Sequence, residues 1–347
     1  MDGNRGQEVV MLCGVPASGK SSVAQRYVDQ GYVRLNRDTI GGRTERLIPL
    51  MIKALDDGAP GVILDNTHAT ANAREKFITA LNGRCPIHAI WFDVTTADCQ
   101  FNACRRMIQR EGRLLTPDEM AKHDSPNIFP PHVIFRFAKQ FEKPTKKEGF
   151  ATVTAHKHDH WGEGDRFYPK PYMGKALILD YDGTLRTSSG PFEWPTRINE
   201  IEILPGRARV LKAWQDAGYR LLGVSNQSPI SNGQFTEAEA REMFNYTNEL
   251  LGLDIEVEFC PHRPAPISCY CRKPGPGWGV HFIEKYKLDP GRCYFVGDST
   301  SDKTFAHRCG FKFQYPDTFF DGESGILGVA QAFEKDRARN VDPLRPD

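Results

Sequence analysis

The sequence predicts an α/β protein built as two parallel-sheet domains in tandem. Three observations carry this. Short apolar runs of strand length alternate with helix-length stretches, the pattern of parallel strands joined by crossover helices. The alternation occurs twice, with runs at 9–13, 62–64 and 89–92, then at 176–179, 221–224, 257–259 and 294–296. Between the two series, residues 156–173 are rich in His, Gly, Pro and aromatics without clear periodicity, which marks a linker. The expected division is a first domain over 1–155, the linker over 156–173 and a second domain over 174–347. At 347 residues, each half is long enough to bury its own core.

Composition narrows the setting. The formal net charge is +1, so bulk charge neither supports nor excludes a nucleic-acid partner, and any such contact must come from a local basic patch. No apolar run nears the length of a membrane span, and residues 1–7 lack the basic start and apolar stretch of a signal peptide. A cytoplasmic protein without membrane contact is expected. Cys13, Cys85, Cys99, Cys104, Cys293 and Cys309 are scattered, as small buried hydrophobes are. Cys260, Cys269 and Cys271 instead crowd together with His262, which points to a metal and not to disulfides. His156, His158 and His160 alternate in the linker and would share one side of an extended segment. A solvated strand end or linker is the plainer reading.

The first series opens on its chemistry. Gly14-Val15-Pro16-Ala17-Ser18-Gly19-Lys20-Ser21 fits G-x-x-x-x-G-K-[ST]. An apolar strand feeds into it, and Val23, Tyr27 and Val28 follow at helical spacing. In that setting the N–H groups of the loop (Gly14, Ser18, Gly19) and of the helix start wrap nucleotide phosphates. Lys20 is expected on the β- and γ-phosphate oxygens, and the Ser21 hydroxyl on Mg²⁺. The alternative is a Gly-rich strand-to-helix turn with no ligand. Leu35-Asn36-Arg37-Asp38 lies just beyond the helix, where a carboxylate can accept the proton of an attacking hydroxyl or merely cap a turn. The run at 62–64 ends in Asp65-Asn66-Thr67, at the strand edge where such sheets bind ligands. Arg105, Arg106, Arg110 and Arg113 form a cationic stretch from which one side chain could stabilise a phosphoryl group in transit.

At these residues the first half, from about Val9 to Phe150, resembles the kinase domain of polynucleotide 5′-kinases. The likeness is carried by GVPASGKSS, LNRDT, LDNT and KQFEKPTKKEGF. The last stretch, 139–150, is the most telling, because it has no general role in P-loop proteins. The resemblance implies transfer of the γ-phosphate of ATP to a 5′-hydroxyl of DNA or RNA. Asp38 would be the general base, Asp65 would sit near the acceptor, and Arg106 matches the lid arginine. Extra residues around 108–115 keep Arg110 open for that last role.

The second series opens on an apolar strand ending in Asp180-Tyr181-Asp182-Gly183-Thr184. Two carboxylates one residue apart allow two roles. Asp180 can attack phosphorus and form an aspartyl-phosphate, while Asp182 protonates the leaving oxygen and then activates water. A calcium loop is disfavoured, since no further acids follow at regular spacing. The strand at 221–224 runs into Ser225-Asn226-Gln227, whose hydroxyl and amides suit phosphate oxygens, and Lys273 can neutralise the phosphoryl group. A further strand ends in Asp298-Ser299-Thr300-Ser301-Asp302, which offers Asp298 as a Mg²⁺ ligand beside Asp180, with Asp302 in support. In order and position these resemble the four motifs of the haloacid dehalogenase superfamily. Within it the likeness is to heptose bisphosphate and histidinol phosphate phosphatases, carried by SNQSPISNGQFTEAE (225–239) and CPHRPAPISCYCRKPGPG (260–277). The resemblance implies structural Zn²⁺ on Cys260, His262, Cys269 and Cys271, which would place Arg272 and Lys273. It also implies Mg²⁺ at Asp180, Asp182 and Asp298. Only a short loop and one helix pattern separate Asp182 from the next strand, so no large cap is expected and the site stays open.

The whole therefore resembles the polynucleotide kinase-phosphatases: a P-loop kinase, then a Rossmann-like haloacid dehalogenase phosphatase. That implies healing of nucleic-acid ends, with a ligase acting downstream. Two alternatives stand beside it. One is a bifunctional kinase and phosphatase of a sugar or nucleoside; against it, the four arginines with Lys143, Lys146 and Lys147 hint at a polymer-tracking surface. The other is a nucleotide-dependent binding protein with vestigial sites, although Lys20, Asp38, Asp180, Asp182, Lys273 and Asp298 are all present.

Overall fold

The computed structural model describes residues 6–157, 161–162, 165–166, 172–321 and 328. His158 and His160, the second and third members of the alternating histidines, lie outside these residues, as do most of the linker and the last part of the second domain. Two compact units form, one from residues 1–103 with 117–159 and one from 104–116 with 160–347.

In the first unit the chain runs β1 (Glu8–Cys13), α1 (Lys20–Val28), β2 (Val33–Leu35), α2 (Arg37–Ile40), α3 (Leu47–Asp56), β3 (Gly61–Asp65), α4 (Ala71–Leu81) and β4 (Ile87–Phe92). After these come α5 (Thr96–Glu111), whose residues from 104 on are counted with the second unit, then α6 (Pro117–Ala121), α7 (His132–Gln140) and β5 (Thr152–His156). The strands pair in parallel in the order β2-β3-β1-β4-β5. Central strands of such a sheet are buried on both faces, so they read as continuous apolar runs. Val9, Met11, Val62 and Leu64 pack on one face, and Val10, Leu12 and Ile63 on the other. The stretch at 139–150 is tied down from α4: buried Arg74 donates to Glu148 through Nε (2.7 Å) and to the Glu142 carbonyl through Nη1 (2.8 Å).

The second unit contains a short pair, β6 (Trp161–Gly162) and β7 (Asp165–Arg166), then β8 (Ala176–Leu179), β9 (Arg186–Ser188), β10 (Ile201–Ile203) and α8 (Arg207–Asp216). Next are β11 (Arg220–Asn226), α9 (Ser228–Ser231), α10 (Glu237–Leu251), β12 (Glu256–Cys260), α11 (Gly277–Tyr286), β13 (Tyr294–Val296), α12 (Thr300–Cys309), β14 (Lys312–Gln314) and α13 (Pro316–Phe319). The main sheet is again parallel, in the order β12-β11-β8-β13-β14. The sequence motif at 225–239 ends by starting α10. Glu239 N–H donates to Thr236 Oγ1 and Thr236 N–H to Glu239 Oε2, a capping box that satisfies two orphan donors. Ala240, Met243, Phe244, Thr247 and Leu251 then turn inward at helical spacing.

Every strand expected from an apolar run is present, and the two-domain α/β architecture holds. Besides the short antiparallel pair β6–β7 inside the expected linker, the strands not foreseen are of two kinds. β2, β5 and β14 are sheet edges, short and part-exposed, so no apolar run announces them. The other kind is the antiparallel hairpin β9–β10, which stands where only a loop was expected between Asp182 and α8. It is two short strands and no cap domain. No helix among the described residues is long and apolar enough to cross a membrane.

Candidate active sites

The phosphate loop sits between β1 and α1. Its curvature needs backbone few side chains tolerate: Ala17 has φ 63° and Gly19 φ 94°. A Cβ on Gly14 would lie 2.9 Å from both Phe92 Cβ and Ser18 Oγ, so only glycine lets the loop leave the strand there. Gly19 takes the cap position of α1 with no side-chain cap hydrogen bond, which leaves that helix end open to an anion. Lys20 is buried and curls back, donating to the carbonyls of Gly14 (2.9 Å) and Val15 (2.7 Å) and to Ser18 Oγ (3.3 Å). Ser21 is exposed at the helix start.

Around the loop, β2 and β3 deliver the remaining groups. Asn36 caps α2 by accepting from Asp38 N–H, which fixes the backbone of Asp38, and the Asp38 side chain is part-exposed with Arg37 Nη2 at 2.6 Å. Asp65 is 2% exposed; its carboxylate takes Arg34 Nε (3.0 Å) and Asn36 Nδ2 (3.3 Å). It thus braces the turn that carries Asp38. Two supports were not legible in the sequence. Asn102 on α5 donates to the Ala17 carbonyl at 3.0 Å, and buried His68 meets the Leu12 carbonyl through Nδ1 at 2.9 Å. Burial holds His68 down to about 4, so it stays neutral beneath the loop. Arg106 is half-buried on α5, Arg110 pairs with Glu111 (3.1 Å), and Arg105 is committed to Glu284 (2.8 Å).

In the second unit, parallel strands bring four separated segments to one sheet edge. Lys273 Nζ lies 2.6 Å from Asp180 Oδ1, 2.6 Å from Asp302 Oδ1 and 2.8 Å from the Val224 carbonyl. Burial pushes the Asp180 carboxyl up to about 8, against the pull of Lys273. Burial draws the Lys273 ammonium down, but Asp180 and Asp302 more than reverse it, so it remains charged. Asp180, Asp298 and Asp302 can each bring a carboxylate oxygen within 4.8 Å of the others, a group able to hold a hard cation. The Asp182 side chain is not in that group. Its Oδ1 accepts from Arg186 Nε and its Oδ2 from Gln227 Nε2, each at 2.8 Å. Arg186, 1% exposed, is itself held by Thr247 Oγ1 (2.8 Å) and the Met243 carbonyl (3.0 Å).

Ser225 and Asn226 close β11 beside these acids. Ser225 Oγ accepts from Gln227 Nε2 at 2.9 Å. Asn226 brackets the main chain of Lys273, accepting its N–H (2.9 Å) and donating to its carbonyl (3.0 Å). That role in placing the lysine was invisible to sequence, because the partners are far apart in the chain. Arg272 turns to Ser228 Oγ (2.8 Å) and the His262 carbonyl (3.3 Å), joining the cysteine loop to the site. A cleft of about 290 Å³ opens over Asp180, Asp182, Ser225, Lys273 and Asp302, with Trp194 of the β9–β10 loop on its wall.

The loop after β12 gathers four soft donors. Cys260 Sγ lies 3.8 Å from Cys269 Sγ and 3.5 Å from His262 Nδ1, which is 3.2 Å from Cys271 Sγ. All four ligand atoms fall within 4.8 Å of one another. Ligands at about 2.3 Å from a tetrahedral centre stand roughly 3.8 Å apart, so three thiols and one imidazole fit a four-coordinate ion. Without such a cation the thiols compete. Hydrogen bonds with Cys260 and Cys271 pull Cys269 well below the usual thiol range, and those with Cys260 and Cys269 push Cys271 far above it.

Known proteins are similar to parts of this chain. A HAD-hydrolase-like family model matches residues 270–314. The D-glycero-beta-D-manno-heptose-1,7-bisphosphate 7-phosphatase of Haemophilus ducreyi is 34% identical over 151 residues, 40% of this chain and 81% of the relative. A probable enzyme of that name from Thermoplasma volcanium is 35% identical over 145 residues, 40% of this chain and 97% of the relative. The chain belongs to this phosphatase family of HAD-like hydrolases. An AAA domain model covers residues 9–121, so the HAD-like phosphatase region follows a P-loop kinase region in one chain. Among solved structures, a chain of the Pnkp1/Rnl/Hen1 RNA repair complex aligns over 90% of this chain and 97% of its own, at 14% identity and TM-score 0.33. The family relation accounts for the four acid and lysine segments at one sheet edge.

Proposed function

We propose that the chain heals nucleic-acid ends, phosphorylating a 5′-hydroxyl from ATP and removing a 3′-phosphate. The observation that carries this reading is the pairing, in one chain, of a complete phosphate loop with an aspartate phosphatase site that no cap domain covers. An open cleft leaves room for the end of a polymer, which a capped one would exclude. The resemblance of LNRDT, LDNT and 139–150 to polynucleotide 5′-kinases supports the acceptor.

In the kinase step Lys20 exchanges its loop carbonyls for phosphate oxygens, and the helix N-terminus shares their charge. Asp38, exposed at the end of β2, takes the proton of the attacking 5′-hydroxyl. Arg106 steadies the phosphoryl group. In the phosphatase step Asp180 attacks phosphorus, Asp182 protonates the departing 3′-oxygen, and the same carboxyl then draws a proton from water to release phosphate. Arg186 and Gln227 hold Asp182 in orientation, and Lys273 neutralises the equatorial oxygens. Bound Mg²⁺ on Asp180 and Asp298 supplies electrostatic stabilisation of the phosphoryl oxygens and favours the ionised form of Asp180. Zn²⁺ on Cys260, His262, Cys269 and Cys271 serves structure, through Arg272, and takes no part in the reaction.

The names of the curated relatives favour a second reading, a phosphatase of a sugar bisphosphate beside a 5′-kinase. One substrate separates them: an oligonucleotide with a 5′-hydroxyl and a 3′-phosphate, incubated with Mg²⁺ and ATP. Gain of one phosphate and loss of the other is the expected result. Survival of the 3′-phosphate, with heptose bisphosphate hydrolysed instead, would transfer the phosphatase to the sugar reading.

A further inference from the structure

The hairpin β9–β10 places Arg186 against Asp182, but its connecting loop, residues 189–200, belongs to none of the phosphatase motifs. Its connecting loop carries Phe192 and Trp194, whose rings stack at 5.5 Å with planes 9° apart. Trp194 lines the cleft that holds Asp180, Asp182 and Lys273, while Phe192 is 42% exposed. Trp194 Nε1 is buried and finds no acceptor among the described residues. The loop is pinned in shape. Glu200 Oε2 accepts both the N–H (2.7 Å) and the hydroxyl (2.9 Å) of Thr196, and the Ser189 N–H donates to the Glu200 carbonyl at 2.9 Å.

Two parallel, stacked aromatic rings, one exposed and one in the wall of a phosphoryl-transfer cleft, contribute nothing to attack or proton transfer. Their chemistry suits a flat π-system next to the reacting phosphate. We infer that Phe192 and Trp194 form a stacking platform for the base of the terminal nucleotide, holding the end so that its 3′-phosphate meets Asp180. Stacking accepts every base, because each has a π-face, so the platform would select for a nucleotide end without selecting a sequence. The cleft, at about 290 Å³, is near the small end of ligand sites, typically about 300–1,000 Å³, which suits one terminal residue and no longer segment. This rests on the end-healing reading and names what the open site recognises.

The test compares two oligonucleotides carrying a 3′-phosphate, one on an ordinary terminal nucleotide and one on a terminal residue that lacks its base. Steady-state dephosphorylation by the full chain is measured for wild type, Trp194→Ala and Trp194→Phe. The wild type is expected to favour the base-bearing end by about 5- to 100-fold in kcat/KM, the range that aromatic stacking gives. Trp194→Ala should bring the two substrates to within about twofold, mainly through KM, and Trp194→Phe should retain most of the preference. Equal use of the two ends by wild type, or a preference that survives in Trp194→Ala, overturns the platform while leaving end healing intact. Hydrolysis of neither end removes the end-healing reading, and the platform falls with it. Should Trp194→Ala fail to fold, the wild-type ratio and that of Trp194→Phe still decide.

Discussion

Gly183 shows how much of a site one backbone position can hold. It sits at φ 78°, and a Cβ there would lie 2.2 Å from Asp298 Oδ2. Gly183→Ala is therefore expected to displace Asp298 and raise the Mg²⁺ concentration for half-maximal phosphatase activity by about tenfold, on the scale of lost metal-site support. A magnesium titration of the variant checks this; an unchanged midpoint would detach Asp298 from the cation. His68 makes a prediction of the opposite kind, about stability. Its folded value of about 4 lies below the ordinary 6.5, so between these pH values the unfolded chain binds a proton that the folded chain refuses. Stability from this group is full above pH 6.5 and is lost as pH falls, by about 2 kcal/mol on reaching pH 5. Denaturant unfolding of wild type and His68→Gln at pH 7 and pH 5 should show that extra loss in wild type alone. The sequence announced neither effect, because Leu12 and His68, like Gly183 and Asp298, meet only through the sheet.

At the scale of the element, the cysteine loop was the part most fully written in the sequence. Four soft ligands between 260 and 271 need only a local turn to converge, and their ligand atoms do fall within 4.8 Å. Cys269→Ser is expected to abolish stoichiometric metal binding and to lower the unfolding midpoint of the second unit by roughly 10 °C, the shift that follows a loss of about 3–4 kcal/mol in a unit of this size. Metal analysis and calorimetry together test it, and unchanged values in both would remove the structural role. The β9–β10 hairpin is the contrasting element. Its strands are three residues each, with mixed burial, and its pairing joins residues across a long loop. No period-2 pattern of useful length is present, so the aromatic pair looked like part of an ordinary connection.

For the whole molecule, two phosphate chemistries sit on two separate sheets, each with its own core. Their activities should be separable by mutation. Lys20→Ala is expected to reduce 5′-phosphorylation by roughly 10³-fold or more with phosphatase turnover within about twofold of wild type. Asp180→Asn should do the converse. Paired assays on one preparation of each variant measure this, and a phosphatase rate that survives Asp180→Asn would exclude the aspartyl-phosphate route.

By itself the sequence determined the two α/β halves, the phosphate loop, the aspartate, lysine and acid segments, and the cluster of cysteines with one histidine. Each rests on short-range information: an apolar run long enough for a buried strand, followed at once by the residues its C-terminal end must carry. Tertiary structure decided which of those residues share work. It turned Asp65 under Arg34 and Asn36, gave Asp182 to Arg186 and Gln227, and assigned Asn226 to the backbone of Lys273. It also set Trp194 in the wall of the catalytic cleft. The physical reason is that parallel strands adjacent in space lie tens of residues apart in sequence. Hydrogen bonds across their ends obey no local period, and only the folded sheet brings the partners within reach.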